Sequence, residues 1–169
     1  FDADIITKFI TNASELSRFA VEYGGRDSEK YPSKSGSYEG YFVLANNIDM
    51  TGYSINWTKG SSAFTLKKSY GFKGIFDGNG HKLSGLYIET DRRNAGLYGI
   101  LKGTVRNLTV SGTVTSSDTS VGLIAGGLDD FALVENCTTY GEVSSSCNSI
   151  YAGVGGIVGS NGSSTKISN

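Results

Sequence analysis

The chain is poor in the residues on which most metal and catalytic sites depend. Its 169 residues include one histidine, His81, and two cysteines, Cys137 and Cys147. No Cys/His cluster has the spacing of a zinc site. Two cysteines are too few for a disulfide framework, although the pair could form a single disulfide in an oxidising compartment. We therefore expect neither a metal ion nor another cofactor.

Runs of one charge and long apolar runs are also absent. Lys and Arg number 15 against 16 Asp and Glu, a formal net charge of -1, so no basic patch predicts a nucleic-acid groove or an anionic membrane surface. No apolar stretch has the length of a membrane span. The chain begins at Phe1 without a basic-then-apolar signal segment. The charge balance argues against nucleic-acid partners, and the lack of an apolar run of spanning length argues against membrane insertion; the missing signal segment decides neither.

Proline is nearly missing, whereas glycine is abundant. There is 1 proline and there are 24 glycines, and 38% of the residues are hydrophobic. Disordered chains have fewer hydrophobic residues and more proline than this. The composition is typical of many short strands joined by tight turns in which φ is positive.

A glycine-led motif recurs along the chain, and a V-x-N or I-x-N element follows each copy. The copies are Gly96–Gly99, Gly122–Ala125 and Gly156–Gly159, and the following elements begin at Val105, Val134 and Ile167. Aligning the Gly74 segment with the first copy places Leu83 with Val105 and Leu86 with Leu108. The elements then start 22, 29 and 33 residues apart. A repeat of this length indicates a solenoid or a propeller.

Within each unit the apolar residues alternate with polar ones. Leu108, Val110 and Val114 would face inward, while Thr109 and Ser111 face outward. Short strands of this kind, stacked on near-copies of themselves, predict an all-β parallel β-helix in which Leu86, Leu108 and Cys137 share one interior column. A propeller is the alternative, and we favour it less because the units lack four regular strands each.

The N-terminal region has a different pattern. Asn12 and Glu15 fit a capping box, and apolar residues at helical spacing follow until Gly24 and Gly25 end the run. We predict an amphipathic helix over 13–23 that closes the first turn of the solenoid, and a first strand over 41–50. Residues 1–169 would form a single domain with its stacked turns over 41–169. Because no polar capping unit ends the chain, we expect a fragment of a longer array.

These repeats resemble the GLUG repeat of bacterial surface and secreted proteins. GLYG, GLIA and GIVG with their V-x-N or I-x-N elements carry the resemblance, together with FKGIFDGNGHKLSGLYI, ASELSRFA, FVLANNIDM and NWTKG. The resemblance implies a right-handed β-helix in adhesin-like proteins, in the non-catalytic region of immunoglobulin A peptidases and in some glycan-active proteins. The peptidases' metalloprotease helix motif is absent from this chain. Tyr98 and Lys59 stand where family members often have Phe and Pro.

Few residues stand out as catalytic candidates. His81 could act as a general base oriented by Asp77, but Asp77–Gly80 is also a turn signature, and we prefer that interpretation. β-Helix polysaccharide lyases and hydrolases use paired carboxylates, and Asp129 with Asp130 lies in an insertion between strands. A solvated loop is the simpler interpretation of this pair, and we predict no catalytic residue.

The expected function is therefore that of a non-catalytic extracellular module in a bacterial surface or secreted protein. It would serve adhesion, ligand binding or spacing, with a host or bacterial glycan, a surface protein, or further domains of the parent chain as partners. The alternative is a module that binds or cleaves polysaccharide. The residues that we single out for ligand binding are Tyr31, Tyr38, Tyr53, Asp129 and Asp130.

Overall fold

The computed structural model describes residues 7–23, 40–53, 72–91 and 93–169; for residue 7 and residues 20–23 it describes the backbone alone. The chain order is β1 (Thr7–Ile10), α1 (Ala13–Tyr23), β2 (Tyr41–Leu44), β3 (Ile48–Asp49), β4 (Ile75–Asp77), β5 (Lys82–Thr90), β6 (Tyr98–Leu101), β7 (Thr104–Arg106), β8 (Thr109–Ser116), β9 (Val121–Gly122), β10 (Ala125–Leu128), β11 (Leu133–Glu135), β12 (Thr138–Ser145), β13 (Val154–Gly155), β14 (Val158–Asn161) and β15 (Lys166–Ser168).

The strands form sheets in which neighbours come from successive turns of a coil. One sheet has the order β1-β2-β4-β7-β11-β15, a second has β12-β8-β5-β3, a third has β14-β10-β6, and β13 pairs with β9. Every strand pairing between the described elements is parallel. The predicted all-β solenoid is confirmed, and the propeller alternative is wrong.

The register shows which residues stack in the interior. Phe76 lies opposite Val105 and Val105 opposite Val134, and each is at most 1% exposed. Thr109 pairs with Thr138, so Leu108 and Cys137 occupy equivalent places just before these strands, and both are buried.

The expected position of Leu86 in that column is wrong. Leu86 is buried but lies opposite Gly112, while Leu83 lies opposite Val110 instead of Val105. The alignment matched the Gly74 segment with Gly96, near β6, whereas the strand in that segment, β4, pairs with β7. The corner between Phe76 and Leu83 also contains two more residues than the corner between Val105 and Val110, so the offset between partners changes from 29 residues at Phe76 to 27 at Leu83. The later copies are also offset, because Gly122 pairs with Gly155 rather than Gly156.

The helix occupies residues Ala13–Tyr23 and packs on the interior. Phe19 is fully buried, with its ring centroid 4.6 Å from that of Phe42 and 5.6 Å from that of Phe76. The Oδ1 of Asn12 accepts a hydrogen bond from the Glu15 amide at 3.0 Å. The Glu15 carboxylate departs from a capping box, because it accepts the Thr11 amide at 2.7 Å.

Two features of this region differ from the sequence expectation. The strand predicted over 41–50 is divided into β2 and β3 by a corner, and the short strand β1 precedes the helix. Within the described ranges, no helix has the length and apolar character needed to cross a bilayer.

Candidate functional site

Asp77, the last residue of β4, lies in a network of hydrogen-bond donors at the corner that follows. Its Oδ2 accepts hydrogen bonds from the Tyr41 hydroxyl and from Arg106 Nε, each at 2.8 Å. Its Oδ1 accepts the Asn79 amide at 2.9 Å and Asn107 Nδ2 at 3.0 Å. Asp77 therefore links three successive turns of the coil, since Tyr41, Asp77 and Arg106 belong to β2, β4 and β7.

The electrostatics of this corner keep Asp77 ionised. Burial acts to raise the pKa of Asp77, but the hydrogen bonds from Asn107, the Asn79 amide, Tyr41 and Arg106 outweigh it, and the pKa lies below its usual value. A general acid in a glycosidase needs the opposite shift. Asp77 is thus suited to holding the corner together rather than to donating a proton.

His81 does not pair with Asp77. Its Nδ1 lies 3.3 Å from Asn47 Oδ1, the same oxygen that accepts the Lys82 amide at 2.9 Å. The Asp77 oxygens are already engaged by the donors described above. The preferred interpretation of this segment, a structural corner, agrees with this geometry.

Asparagines at equivalent corners form a short ladder along the axis. Asn136 Nδ2 donates to Asn107 Oδ1 at 3.3 Å, and Asn107 in turn donates to Asp77. Asn107 has φ 52° and Asn136 has φ 50°, the left-handed region that asparagine tolerates better than most residues. The residue type is therefore required both for the turn and for contact between the turns.

Asp129 and Asp130 follow β10 and share one cation. Lys102 Nζ lies 3.3 Å from Asp129 Oδ2 and 2.9 Å from Asp130 Oδ2. Asp129 Oδ1 accepts a hydrogen bond from the Asp130 backbone N–H, and this bond is the main cause of the lowered pKa of Asp129. The Lys102 ammonium lowers that pKa further. Both carboxylates are about half exposed, so the pair sits in a loop with a compensating cation.

The remaining ligand-binding candidates do not join this pair. Tyr53 is 49% exposed and closes a turn after β3 by donating its amide to the Met50 carbonyl. The Tyr53 turn comes after β3, a strand of the four-stranded sheet, whereas Asp129 comes after β10, a strand of the three-stranded sheet. Tyr31 and Tyr38 lie outside the described residues. The structure therefore does not bring the described candidates together.

Neither cysteine is bonded to the other. Cys137 is buried, and Cys147 is partly exposed in the loop after β12. Burial raises the pKa of the Cys137 thiol to about 11, so this thiol stays protonated near neutral pH. Within the described ranges, no group of three or more His, Cys, Asp and Glu residues is placed to hold a metal ion.

The sequence analysis predicted that Thr109 and Ser111 face outward, but it did not assemble the outward surface of β5, β8 and β12, which we name the hydroxyl face. It is composed of residues that alternate with the interior positions of these strands: Lys82, Tyr87, Glu89, Thr109, Ser111, Thr113, Thr115, Thr138, Tyr140, Glu142 and Ser144. Tyr87 is 66% exposed and Tyr140 is 61% exposed. The alternation of apolar and polar residues in TTYGEVSS could have shown that Tyr140 faces outward. Alternation could not have shown this for Tyr87, because the register of β5 shifts between Leu83 and Leu86, just before it.

The tyrosines of the hydroxyl face have acidic neighbours. The Tyr87 hydroxyl donates to Glu89 Oε2 at 2.8 Å, and this bond raises the pKa of Tyr87. Glu142 pairs in register with Thr113, which pairs with Tyr87 on its other side. Chemically, the face offers two aromatic rings, a field of hydroxyl groups and two carboxylates to an external ligand.

Comparison with known proteins gives a limited set of relationships. No protein-family profile matches the chain. Halomucin from Haloquadratum walsbyi is 29% identical over 139 residues, which cover 79% of this chain and 1% of halomucin. A crystal structure of a candidate immunoglobulin A1 protease from Bacteroides ovatus matches with a TM-score of 0.47 and 20% identity, over 99% of this chain and 65% of that one. The chain spans less than two thirds of either protein, and the GLUG assignment stays a prediction.

Proposed function

We propose that the chain is a non-catalytic β-solenoid module of a secreted or surface-attached protein, in which it acts as a rigid spacer that presents ligand-binding surfaces. Such a module works by holding outward residues at fixed positions along an axis. Register-locked parallel strands provide this, because each turn fixes the position of the next.

One observation carries the proposal: the residues that could have served catalysis bond instead to neighbouring turns or corners. Asp77 accepts four hydrogen bonds, Lys102 bridges Asp129 and Asp130, and His81 contacts Asn47. These groups stabilise the coil itself. The hydrogen bonds that they accept lower the pKa of Asp77 and that of Asp129, the opposite of the shift that acid catalysis requires.

The extracellular location is supported by two resemblances. The repeats resemble those of bacterial surface and secreted proteins, and the sequence is similar to halomucin over 79% of this chain. Among glycan-related functions, binding is favoured over cleavage, because the tyrosines of the hydroxyl face are exposed while the acids at the corners are engaged.

The test combines a turnover assay with localisation. Purified protein is incubated with neutral and acidic polysaccharides and with immunoglobulin A1, and new reducing ends and peptide fragments are measured. We expect neither above the buffer control. Turnover that Asp129→Ala or Asp77→Ala abolishes would overturn the proposal.

Localisation is tested by fractionating cells that produce the full-length parent protein and probing them with an antibody against this chain. We expect the signal in the medium or on the cell surface. Exclusive recovery in the cytoplasm would contradict the extracellular part of the proposal.

A further inference from the structure

We propose that the hydroxyl face binds a neutral polysaccharide chain, with Tyr87 and Tyr140 as stacking platforms. The inference rests on the proposed function as a presenting module, and it adds a location and a ligand class. Neither tyrosine belongs to the corner networks, so their exposure is not required by the interactions that hold the turns together.

The register fixes the spacing of the two rings. Tyr87 lies opposite Thr113, and Tyr140 lies opposite Ser111 on the other side of the same strand. The tyrosines are therefore two strands apart and offset by two residues, which separates their Cα atoms by about 12 Å. This distance exceeds one sugar ring, so the pair suits an oligosaccharide that crosses the face diagonally.

The rings and the groups between them match the two chemical surfaces of a sugar. An aromatic ring has a negative face, which attracts the weakly positive C–H face of a pyranose. Ser111 and Thr113 lie between the rings and offer hydroxyls that both donate and accept hydrogen bonds. Because parallel ladders on both sides fix β8, these groups are held in place before a ligand arrives.

The charge of the face selects against acidic polysaccharides. Glu89 and Glu142 lie on the face, and the exposed Asp49 lies at its edge in β3. The residues that define the face include one cation, Lys82, so acidic groups outnumber basic ones. The Tyr87 hydroxyl donates to Glu89, which places one carboxylate beside a platform. Carboxylates accept hydrogen bonds from sugar hydroxyls but repel uronates and sulfates. We therefore assign the face to neutral chains.

The experiment is native affinity electrophoresis of the purified chain in gels that contain laminarin, mannan, xylan or dextran. Parallel gels contain the acidic polymers polygalacturonate or alginate. We expect retardation by at least one neutral polymer and none by the acidic ones. Tyr87→Ala and Tyr140→Ala should each weaken the binding about tenfold, and the double variant should abolish it.

A matched control uses a tyrosine from elsewhere on the molecule. Tyr151 is 79% exposed in the corner before β13, outside the hydroxyl face, and Tyr151→Ala should bind as the wild type does. Glu142→Lys should extend binding to polygalacturonate, because it removes one carboxylate and adds a cation. Thermal melts of all variants verify folding, which loss of an exposed ring should leave nearly unchanged.

Three results would overturn the inference: no retardation by any neutral polymer, unchanged binding by the double tyrosine variant, or preference of the wild type for an acidic polymer. Cleavage of a retarding polymer by the wild type would instead contradict the proposed non-catalytic function. The two ideas therefore fail through different measurements.

Discussion

Replacing Asp77 with asparagine tests whether the corner network holds successive turns together. Four donors converge on the two oxygens of Asp77, at distances from 2.8 to 3.0 Å. An asparagine amide has one oxygen and one NH2 group, which is itself a donor. In either orientation of the amide, the NH2 group replaces an oxygen that accepted two charge-assisted hydrogen bonds. Both are lost together with the Arg106 ion pair, although the Tyr41 hydroxyl can turn to accept a hydrogen bond from an NH2 group on its side.

The magnitude follows from the exposure of the partners. The Asp77 side chain is 10% exposed, but that of Arg106 is 35% exposed, so water partly compensates the arginine after the substitution. Two charge-assisted hydrogen bonds at the low end of their range give a loss of about 3 kcal/mol. For a chain of this length, that loss lowers the melting temperature by roughly 6–12 °C.

The pH dependence separates this explanation from a packing defect. The native pKa of Asp77 lies below its usual value. The stabilisation is therefore complete above the unfolded pKa of about 3.9 and is lost as the pH falls through the native pKa. We expect the full difference between wild type and Asp77→Asn at pH 7, and a difference that shrinks below about pH 4.

The assay is thermal and urea unfolding followed by far-UV circular dichroism between pH 2.5 and 7. Glu142→Gln, which neutralises an exposed carboxylate on β12, serves as the control and should shift stability by less than about 0.5 kcal/mol. Equal stability of wild type and Asp77→Asn at pH 7 would refute the reasoning. So would a difference that persists undiminished at the acidic end of the range.

Three further substitutions test other parts of the coil. Phe19→Ala should lower the free energy of unfolding in urea by about 3–5 kcal/mol, because Phe19 is fully buried. Phe9→Ala removes a ring that is 61% exposed and should lower it much less. Similar losses for the two variants would show that the helix does not seal the interior. Asn107→Ala should destabilise by about 1–2 kcal/mol more than Asn107→Gly, because only the alanine variant adds strain at φ 52°, and equal melting temperatures would contradict this. Gly112→Ala should sharply reduce the yield of folded protein, because its Cβ would collide with the Leu86 carbonyl, and a wild-type melting curve would exclude this close approach.

Local pattern predicted the elements well where it was regular. The helix over 13–23 follows from apolar residues at helical spacing between a cap and a glycine pair, and it occurs at Ala13–Tyr23. The alternation of β8 likewise predicted which residues face inward, because Val110 and Val114 are fully buried. Such features depend only on neighbours in sequence, which is why the sequence specifies them.

Register depends on corner lengths, and these are harder to infer. Matching glycine and leucine letters aligned the segment of β4 with that of β6, although β4 pairs with β7. In addition, the corner from Gly78 to His81 contains two residues more than its counterpart in the next turn, so no single offset describes both strands. A second irregularity lies between Leu83 and Leu86, where Gly85 has φ 68°. It shifts the alternation of β5 and turns Tyr87 outward, so a tyrosine that the motif analysis passed over became a ligand candidate.

The Asp77–Arg106 pair was missed for the same reason, since the two residues are neighbours only in the true register. In this solenoid the interior columns and corners carry the constraints of the fold, through buried side chains and bonds between turns. Outward residues on the strands are freer, because each needs only to be compatible with an exposed pleat. Two large exposed rings and several hydroxyls at such positions are therefore better evidence for a ligand than acids at the corners, whose bonds already explain why they are there.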